Sequence, residues 1–212
     1  MTSRSRVAQS PRLADWLISL FVIGEAESIL GDLQEEFSLQ ASRFGSTFAR
    51  RWYWRQTTRT VLHLARVNAR ARPWLTVFAV AGGFLLRKVL GRLVEPAMFG
   101  LLERYQVFEQ HFDVYRFLAS TGLDIAHLLV FLLVGCVVAF LAREAEVVAT
   151  MTLAMIYGAM TILAFVYLFS RASDIAVLWR LPWNFADCFA LVIAGVTVRM
   201  RRISHTSRPS GA

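Results

Sequence analysis

The sequence predicts an all-α integral membrane protein: a cytosolic three-helix module, then a four-transmembrane-helix bundle with an outer amphipathic helix. Three observations predict this class. Apolar residues make up 56% of the 212 residues, which is too many for an ordinary soluble domain. Long apolar stretches follow residue 73, whereas the residues before it are mostly polar. Arginine is distributed unevenly around those stretches.

The cytosolic module is predicted over residues 11–72, after a disordered N-terminus at 1–10. Ser10 and Pro11 are a typical start for a first helix, which is expected to end near residue 23. A second helix is expected over 25–44 and a third over 47–71, because Gly45 is a typical helix stop. In the third helix, the expected packing stripe consists of Trp54, Thr58, Val61, Leu62 and Ala65.

Four stretches have about the 20 residues that a hydrocarbon core about 30 Å thick requires. They define a transmembrane domain over residues 73–203, followed by a disordered basic tail at 204–212. Arg87 and Lys88 interrupt the first stretch, for which a re-entrant or interfacial segment is the alternative. The predicted spans are residues 74–94, 121–141, 147–169 and 182–198.

The charge distribution predicts the orientation of these spans. The net charge is +8, and eleven of the 22 arginines precede residue 73 while four follow residue 198. Basic residues near spans stay on the cytoplasmic side. We therefore expect a multi-pass protein of the bacterial inner (cell) membrane with both termini in the cytoplasm.

The connection between the first two spans, residues 95–120, is too apolar for a solvated loop. Its large apolar side chains recur at spacings of three and four, which predicts one amphipathic helix on the outer surface. These side chains are Leu101, Tyr105, Phe108, Phe112 and Tyr115.

Small residues inside the spans predict close helix contacts. Gly82, Gly83 and Gly135 belong to this group, and so does the four-residue repeat Thr150, Ala154 and Gly158 in the third span. Cys136 and Cys188 are expected at different depths and should not pair.

Two short strings mark the module: Gly-Asp-Leu-Gln-Glu-Glu-Phe at 31–37 and Arg-Arg-Trp-Tyr-Trp-Arg-Gln at 50–56. Together they resemble the permease prefix domain, the N-terminal module of bacterial ABC-exporter permeases of the macrolide-exporter type. The resemblance covers about residues 11–70. It implies an accessory or regulatory subunit associated with an ABC-exporter-type system. The full permeases continue into a large extracytoplasmic domain and a transport core, so this chain is not expected to be an ATP-driven exporter by itself.

The same strings predict an interaction or lipid-facing surface. Arginines four residues apart repel one another unless an anion lies opposite. The acidic helix and the phosphates of the cytoplasmic leaflet are both available, and we expect the module to use both. The alternative is an ordinary core in which these side chains only pack and solvate. Nucleic acid is not an expected partner. The residues of this predicted surface are Asp32, Glu35, Glu36, Arg51, Trp52, Tyr53, Trp54, Arg55 and Arg59.

Ionisable residues inside the spans predict a polar cluster near the outer leaflet, because each is costly in hydrocarbon. A rise of 1.5 Å per residue, counted from the ends of the spans, places several of these ionisable residues at the same depth in the membrane. We expect Arg87 or Lys88 to pair with Asp124 or Asp187, with His127 and Asn184 nearby. Snorkelling to the headgroups and a proton- or ion-handling site are the alternatives.

No catalytic, phosphate-binding or metal-binding motif occurs in the sequence, so we predict no enzyme activity, no cofactor and no metal site. The expected function is that of a membrane-anchored accessory or regulatory subunit acting through protein and lipid contacts. The expected partners are membrane lipids and an ABC permease or another membrane protein. The alternative is a small transporter or channel subunit that works as a homo-oligomer.

Overall fold

The computed structural model describes residues 10–22, 26–172 and 176–206, and within these ranges every regular element is a helix. The chain divides into two compact units, residues 1–71 and residues 72–212. The predicted all-α class is confirmed for the part of the chain that is described. Most of the two predicted disordered ends, 1–10 and 204–212, lies outside the described residues. Ser10 is described, and residues 204–206 continue the last helix.

The first unit contains three helices: α1 (Arg12–Phe21), α2 (Ala26–Phe44) and α3 (Ser46–Ala71). Gly45 separates α2 from α3 with a φ of 86°, a backbone conformation that glycine adopts without a steric penalty. The predicted helix stop at this residue is therefore confirmed. The apolar core of the unit is formed by Ala14, Ile18, Val22, Leu33, Phe37, Ala49 and Tyr53.

Tyr53 occupies the centre of this core, with no exposed surface. Its ring packs edge-on against Phe37, with centroids 5.5 Å apart, and its hydroxyl donates a hydrogen bond to Asp15. The Ser10 hydroxyl donates to the same carboxylate over 2.8 Å. One tyrosine thus links all three helices of the unit.

The predicted packing stripe of α3 is confirmed in part, because Val61 packs on the core and Ala65 is half-buried, and its other three residues are misplaced by about one position. Trp54, Thr58 and Leu62 are exposed, whereas the buried side chains of α3 belong to Ala49, Tyr53 and Thr57. Tyr53, which the sequence placed on the interaction surface, therefore belongs to the core. Three consecutive aromatic residues point in three directions, and their pattern alone does not show which one faces inward.

The second unit consists of four long helices and two short ones. A π-helical turn at Leu118–Gly122 leads into the second long helix, and a single turn at Arg143–Ala145 separates the second from the third. The six helices are α4 (Pro73–Arg104), α5 (Val107–Gln110), α6 (Phe112–Phe117), α7 (Leu123–Ala142), α8 (Glu146–Ala172) and α9 (Ala176–Thr206).

Three helices of the described chain are long and apolar enough to cross a membrane, over Phe112–Ala142, Glu146–Ser170 and Leu181–Ser204. They contain the predicted spans 121–141, 147–169 and 182–198. These helices identify the chain as a membrane protein. The first predicted span, residues 74–94, lies in α4, which is not among the three.

The predicted outer amphipathic helix does not form as one element. Residues 95–104 continue α4, and the chain then breaks at Tyr105 and Gln106, where Gln106 has a φ of 48°. A second break at His111 separates α5 from α6. The apolar repeat that predicted one helix is real, but local backbone breaks divide it.

Small residues bring the long helices together, as the sequence predicted for most of them. Gly83 of α4 lies against Val138 and Leu153, and Gly135 of α7 lies against Leu191 and Ala194 of α9. Thr150 of α8 packs directly on Gly195 of α9. Gly82 is the exception, since nothing lies within 4 Å of the position that its Cβ would occupy. Cys136 and Cys188 are both unpaired, as expected.

Candidate functional site

The candidate surface of the first unit is the side of α3 that faces away from Tyr53. We define the arginine face as Phe48, Arg51, Arg55, Arg59 and Leu62, all of which are exposed. Phe48 is 49% exposed and Leu62 is 51% exposed. Guanidinium groups flanked by large apolar side chains are typical of surfaces that contact a protein partner or lipid headgroups.

The two tryptophans beside this face play different parts. Trp52 is half-buried and packs on the core near Tyr53, with ring centroids 6.5 Å apart. Trp54 is 39% exposed and extends the arginine face. Of the predicted aromatic trio, only Trp54 is therefore available for a partner over much of its ring.

The acidic residues of α2 do not neutralise the arginine face. Asp32, Glu35 and Glu36 are exposed, and we call them the acidic face. Among the described residues, no N–O distance of 4.0 Å or less joins them to Arg51, Arg55 or Arg59. The two charged faces are both presented to the surroundings. The intramolecular charge pairing that the sequence suggested is absent from the described structure.

The predicted intramembrane cluster is assembled in part. The Arg87 guanidinium lies over the Phe131 ring, 4.4 Å from its centroid, in a cation–π contact. Phe131 also packs edge-on against Tyr157, which stacks on Phe84 of the helix that carries Arg87. Three helices therefore contribute to the surroundings of this one arginine.

The charged groups of the cluster lie near one another. Asp187 is within electrostatic range of the Arg87 guanidinium and of Asp124. Within the described chain, however, no N–O distance of 4.0 Å or less joins Arg87 to either aspartate. His127 is half-buried on the same helix as Asp124, whereas Lys88 and Asn184 are exposed.

A buried ion-pair cluster at the other end of the bundle was not predicted. Glu146 begins α8 and is only 1% exposed, and Arg199 and Arg202 of α9 reach it. Arg202 Nη1 lies 2.5 Å from Glu146 Oε1, and Arg199 Nη1 lies 3.5 Å from Oε2. Since α8 and α9 are antiparallel, the start of one and the end of the other meet at the same level.

The part of the bundle between the Arg87 cluster and the Glu146 cluster is apolar. Val134, Val138, Leu153 and Leu191 are completely buried there. Within the residues described, no group of three or more histidine, cysteine, aspartate or glutamate side chains is placed to hold a metal ion. At this level the described helices contact one another through apolar side chains.

Comparison of the chain with protein-family models, with curated proteins and with solved structures finds no match. The resemblance to the permease prefix domain consequently rests on the residues of the two strings, 31–37 and 50–56. In the structure those strings supply Leu33, Phe37 and Tyr53 to the core and Arg51 and Arg55 to the arginine face.

Proposed function

We propose that this protein is a membrane-anchored accessory or regulatory subunit that recruits a partner protein through the arginine face of its first unit. The observation that carries this proposal is the exposed set of Arg51, Arg55 and Arg59 beside exposed Phe48 and Leu62. Removing water from such a face is favourable only when an anionic, partly apolar surface covers it in place of the water. The motif resemblance favours a component of an ABC-exporter-type system as the partner.

The same proposal includes four transmembrane helices, with α4 as the first. Its Ala79 and Gly83 are buried against the other helices, while Phe78 and Leu85 are 70% and 63% exposed. A helix that packs on transmembrane neighbours and presents large apolar side chains outward is suited to lipid. Four spans leave both arginine-rich termini on the cytoplasmic side of the inner membrane.

The chain connects the two units directly, because α3 ends at Ala71 and α4 begins at Pro73. A cytosolic first unit is thereby tethered to the membrane surface. Tethering raises the local concentration of the arginine face near any partner in the same membrane. We expect the protein to act by binding and to have no catalytic activity of its own.

A transporter or channel built from one chain receives less support. A polar path would have to pass the buried apolar layer of Val134, Val138, Leu153 and Leu191. The homo-oligomeric form of this alternative predicts ion or solute flux in sealed vesicles that contain only this protein. Flux lost on replacing Asp187 with asparagine would favour it over the accessory role.

Affinity purification of the full chain from membranes tests the proposed function. The test variant replaces Arg51, Arg55 and Arg59 with glutamine. The matched control replaces Arg12, Arg43 and Arg70, which are also exposed arginines of the first unit. Both variants lose three positive charges, so a difference between them reports the position of the charges and not their number.

We expect the wild-type chain and the control variant to retain an exporter permease or its ATPase, and the test variant to lose it. Equal retention by all three chains would contradict a role for the arginine face. Retention of an unrelated protein, lost only in the test variant, would support recruitment but would refute the exporter assignment.

A further inference from the structure

A cavity of about 480 Å³ lies at the end of the second unit opposite Glu146, where α4 ends. This volume is within the range of small-molecule sites. The end of α4, the turn that follows, α5 and α6 all contribute to the cavity. The six lining residues are Leu102, Glu103, Gln106, Phe108, Glu109 and Tyr115.

The backbone turn at Gln106 places two carboxylates around this cavity. Gln106 has a φ of 48°, and its amide donates to the Glu103 carbonyl over 3.0 Å. The Glu109 amide in turn donates to the Gln106 carbonyl over 3.1 Å. Glu103 and Glu109 therefore lie on either side of one tight turn, and both line the same cavity.

Aromatic rings and a buried apolar side chain complete the lining. The rings of Phe108 and Tyr115 pack edge to face with centroids 5.0 Å apart. Leu102 is only 5% exposed. Aromatic faces attract cations, particularly alkylated ammonium groups whose carbon atoms also gain from apolar contact.

The two carboxylates are available to a ligand. Among the described residues, no arginine, lysine or histidine nitrogen lies within 4.0 Å of Glu103 or Glu109. Arg104 and Arg116 belong to α4 and α6, which contribute to the cavity, but their side chains do not line it. A lining with two negative charges, two aromatic rings and no cationic side chain selects for positive ligands.

From this geometry we infer that the cavity binds an alkylammonium group, either of a small organic cation or of a phospholipid headgroup. Glu103 and Glu109 supply the countercharge, and Phe108 and Tyr115 supply the ring surfaces. This inference is independent of the recruitment role proposed for the first unit, since it concerns a different site of the chain.

Binding of choline to the full chain in phosphatidylglycerol nanodiscs tests the inference. The neutral isostere 3,3-dimethylbutanol is the matched ligand control, because it has the same shape without the charge. The test variant is Glu103→Gln with Glu109→Gln, and Phe108→Leu removes one ring. Glu95→Gln is the protein control, because Glu95 is an exposed carboxylate of α4 that does not line the cavity.

We expect saturable choline binding in the wild-type chain and in Glu95→Gln, with affinity reduced about tenfold or more in the test variant and in Phe108→Leu. The neutral isostere should bind far more weakly. Equal binding of the two ligands would overturn the inference, as would unchanged choline binding in a folded test variant or no saturable binding by the wild-type chain. Circular dichroism and gel filtration establish that the variants are folded.

A second arm distinguishes the two sources of the ammonium group. Nanodiscs that contain phosphatidylethanolamine carry the group on the lipid itself. Choline affinity that falls in these nanodiscs identifies the headgroup as the occupant. Unchanged affinity identifies a free organic cation.

Discussion

Arg202 Nη1 lies 2.5 Å from Glu146 Oε1, which joins the end of α9 to the start of α8. The Glu146 side chain has no exposed surface, and Arg199 approaches its other oxygen. A charge taken out of water is tolerated when it is paired, and the loss of one partner leaves the other uncompensated. The cluster therefore fixes two helices at one end of the bundle.

Replacing Glu146 with glutamine should destabilise the bundle by about 3 kcal/mol, because Arg199 is left buried without a countercharge. The measurement is the unfolding free energy of the full chain in detergent. Glu95→Gln is the control, since that carboxylate is exposed. Equal stability of the two variants would show that the buried pair holds nothing together.

Replacing Gly135 with alanine should destabilise the bundle by about 2 kcal/mol through overpacking. The new Cβ would lie 2.7 Å from Ala194 Cβ and 3.0 Å from the Leu191 carbonyl oxygen, and backbone cannot move aside easily. Gly82→Ala is the matched control, because its Cβ would meet nothing within 4 Å. The measurement is thermal unfolding in detergent. Equal unfolding temperatures of the two variants would contradict the close contact of Gly135 with α9.

The stability of the first unit should fall as the pH rises above about 10. Burial, and next the hydrogen bond to Asp15, raise the pKa of Tyr53 above its usual value near 10. The unfolded chain then loses this proton at a lower pH than the folded chain does. Stability from Tyr53 is complete below pH 10 and declines above it.

Tyr53→Phe checks this pH dependence, because phenylalanine cannot ionise. At neutral pH the variant should be less stable by about 1 kcal/mol, through loss of the hydrogen bond. The difference from wild type, followed by tryptophan fluorescence during thermal unfolding, should shrink above pH 10. Tyr105→Phe, at a residue 67% exposed, should show no such trend. A constant difference for Tyr53→Phe would contradict the assignment.

Arg87 and Asp187 should be energetically coupled although no direct ion pair joins them. Their electrostatic interaction acts in an apolar bundle, where screening by water is weak. In a double-mutant cycle of Arg87→Gln and Asp187→Asn, we expect a coupling energy of about 1 kcal/mol. The same cycle with exposed Lys88→Gln should give additive losses. Additive losses in the Arg87 cycle would show that Arg87 and Asp187 are not energetically coupled.

The helical class and the later spans could be predicted because hydropathy and charge are local properties of the chain. The stop at Gly45 was predictable for the same reason, since its conformation is set by its own residue type. The break at Gln106 was not, because nothing in the residue type requires a left-handed conformation there. Helix ends of this kind depend on packing around them.

The site could be predicted only where sequence spacing determines the direction of a side chain. The common exposure of Arg51, Arg55 and Arg59 could be predicted, because four-residue spacing keeps them on one side of α3. Glu146 was missed, although a signal existed: one carboxylate begins a span, and several arginines end the antiparallel span that follows. Recognising it requires knowing that those two helix ends meet in three dimensions.

Photo-crosslinking on the arginine face tests the proposed recruitment most directly. A photoreactive amino acid replaces Thr58, which is exposed beside Arg55 and Arg59, or Leu13 on α1, which is 68% exposed and serves as the control. We predict that in intact cells position 58 forms an adduct with an exporter permease or its ATPase and position 13 does not. Adducts with lipid alone at position 58, in a folded chain, would contradict the account.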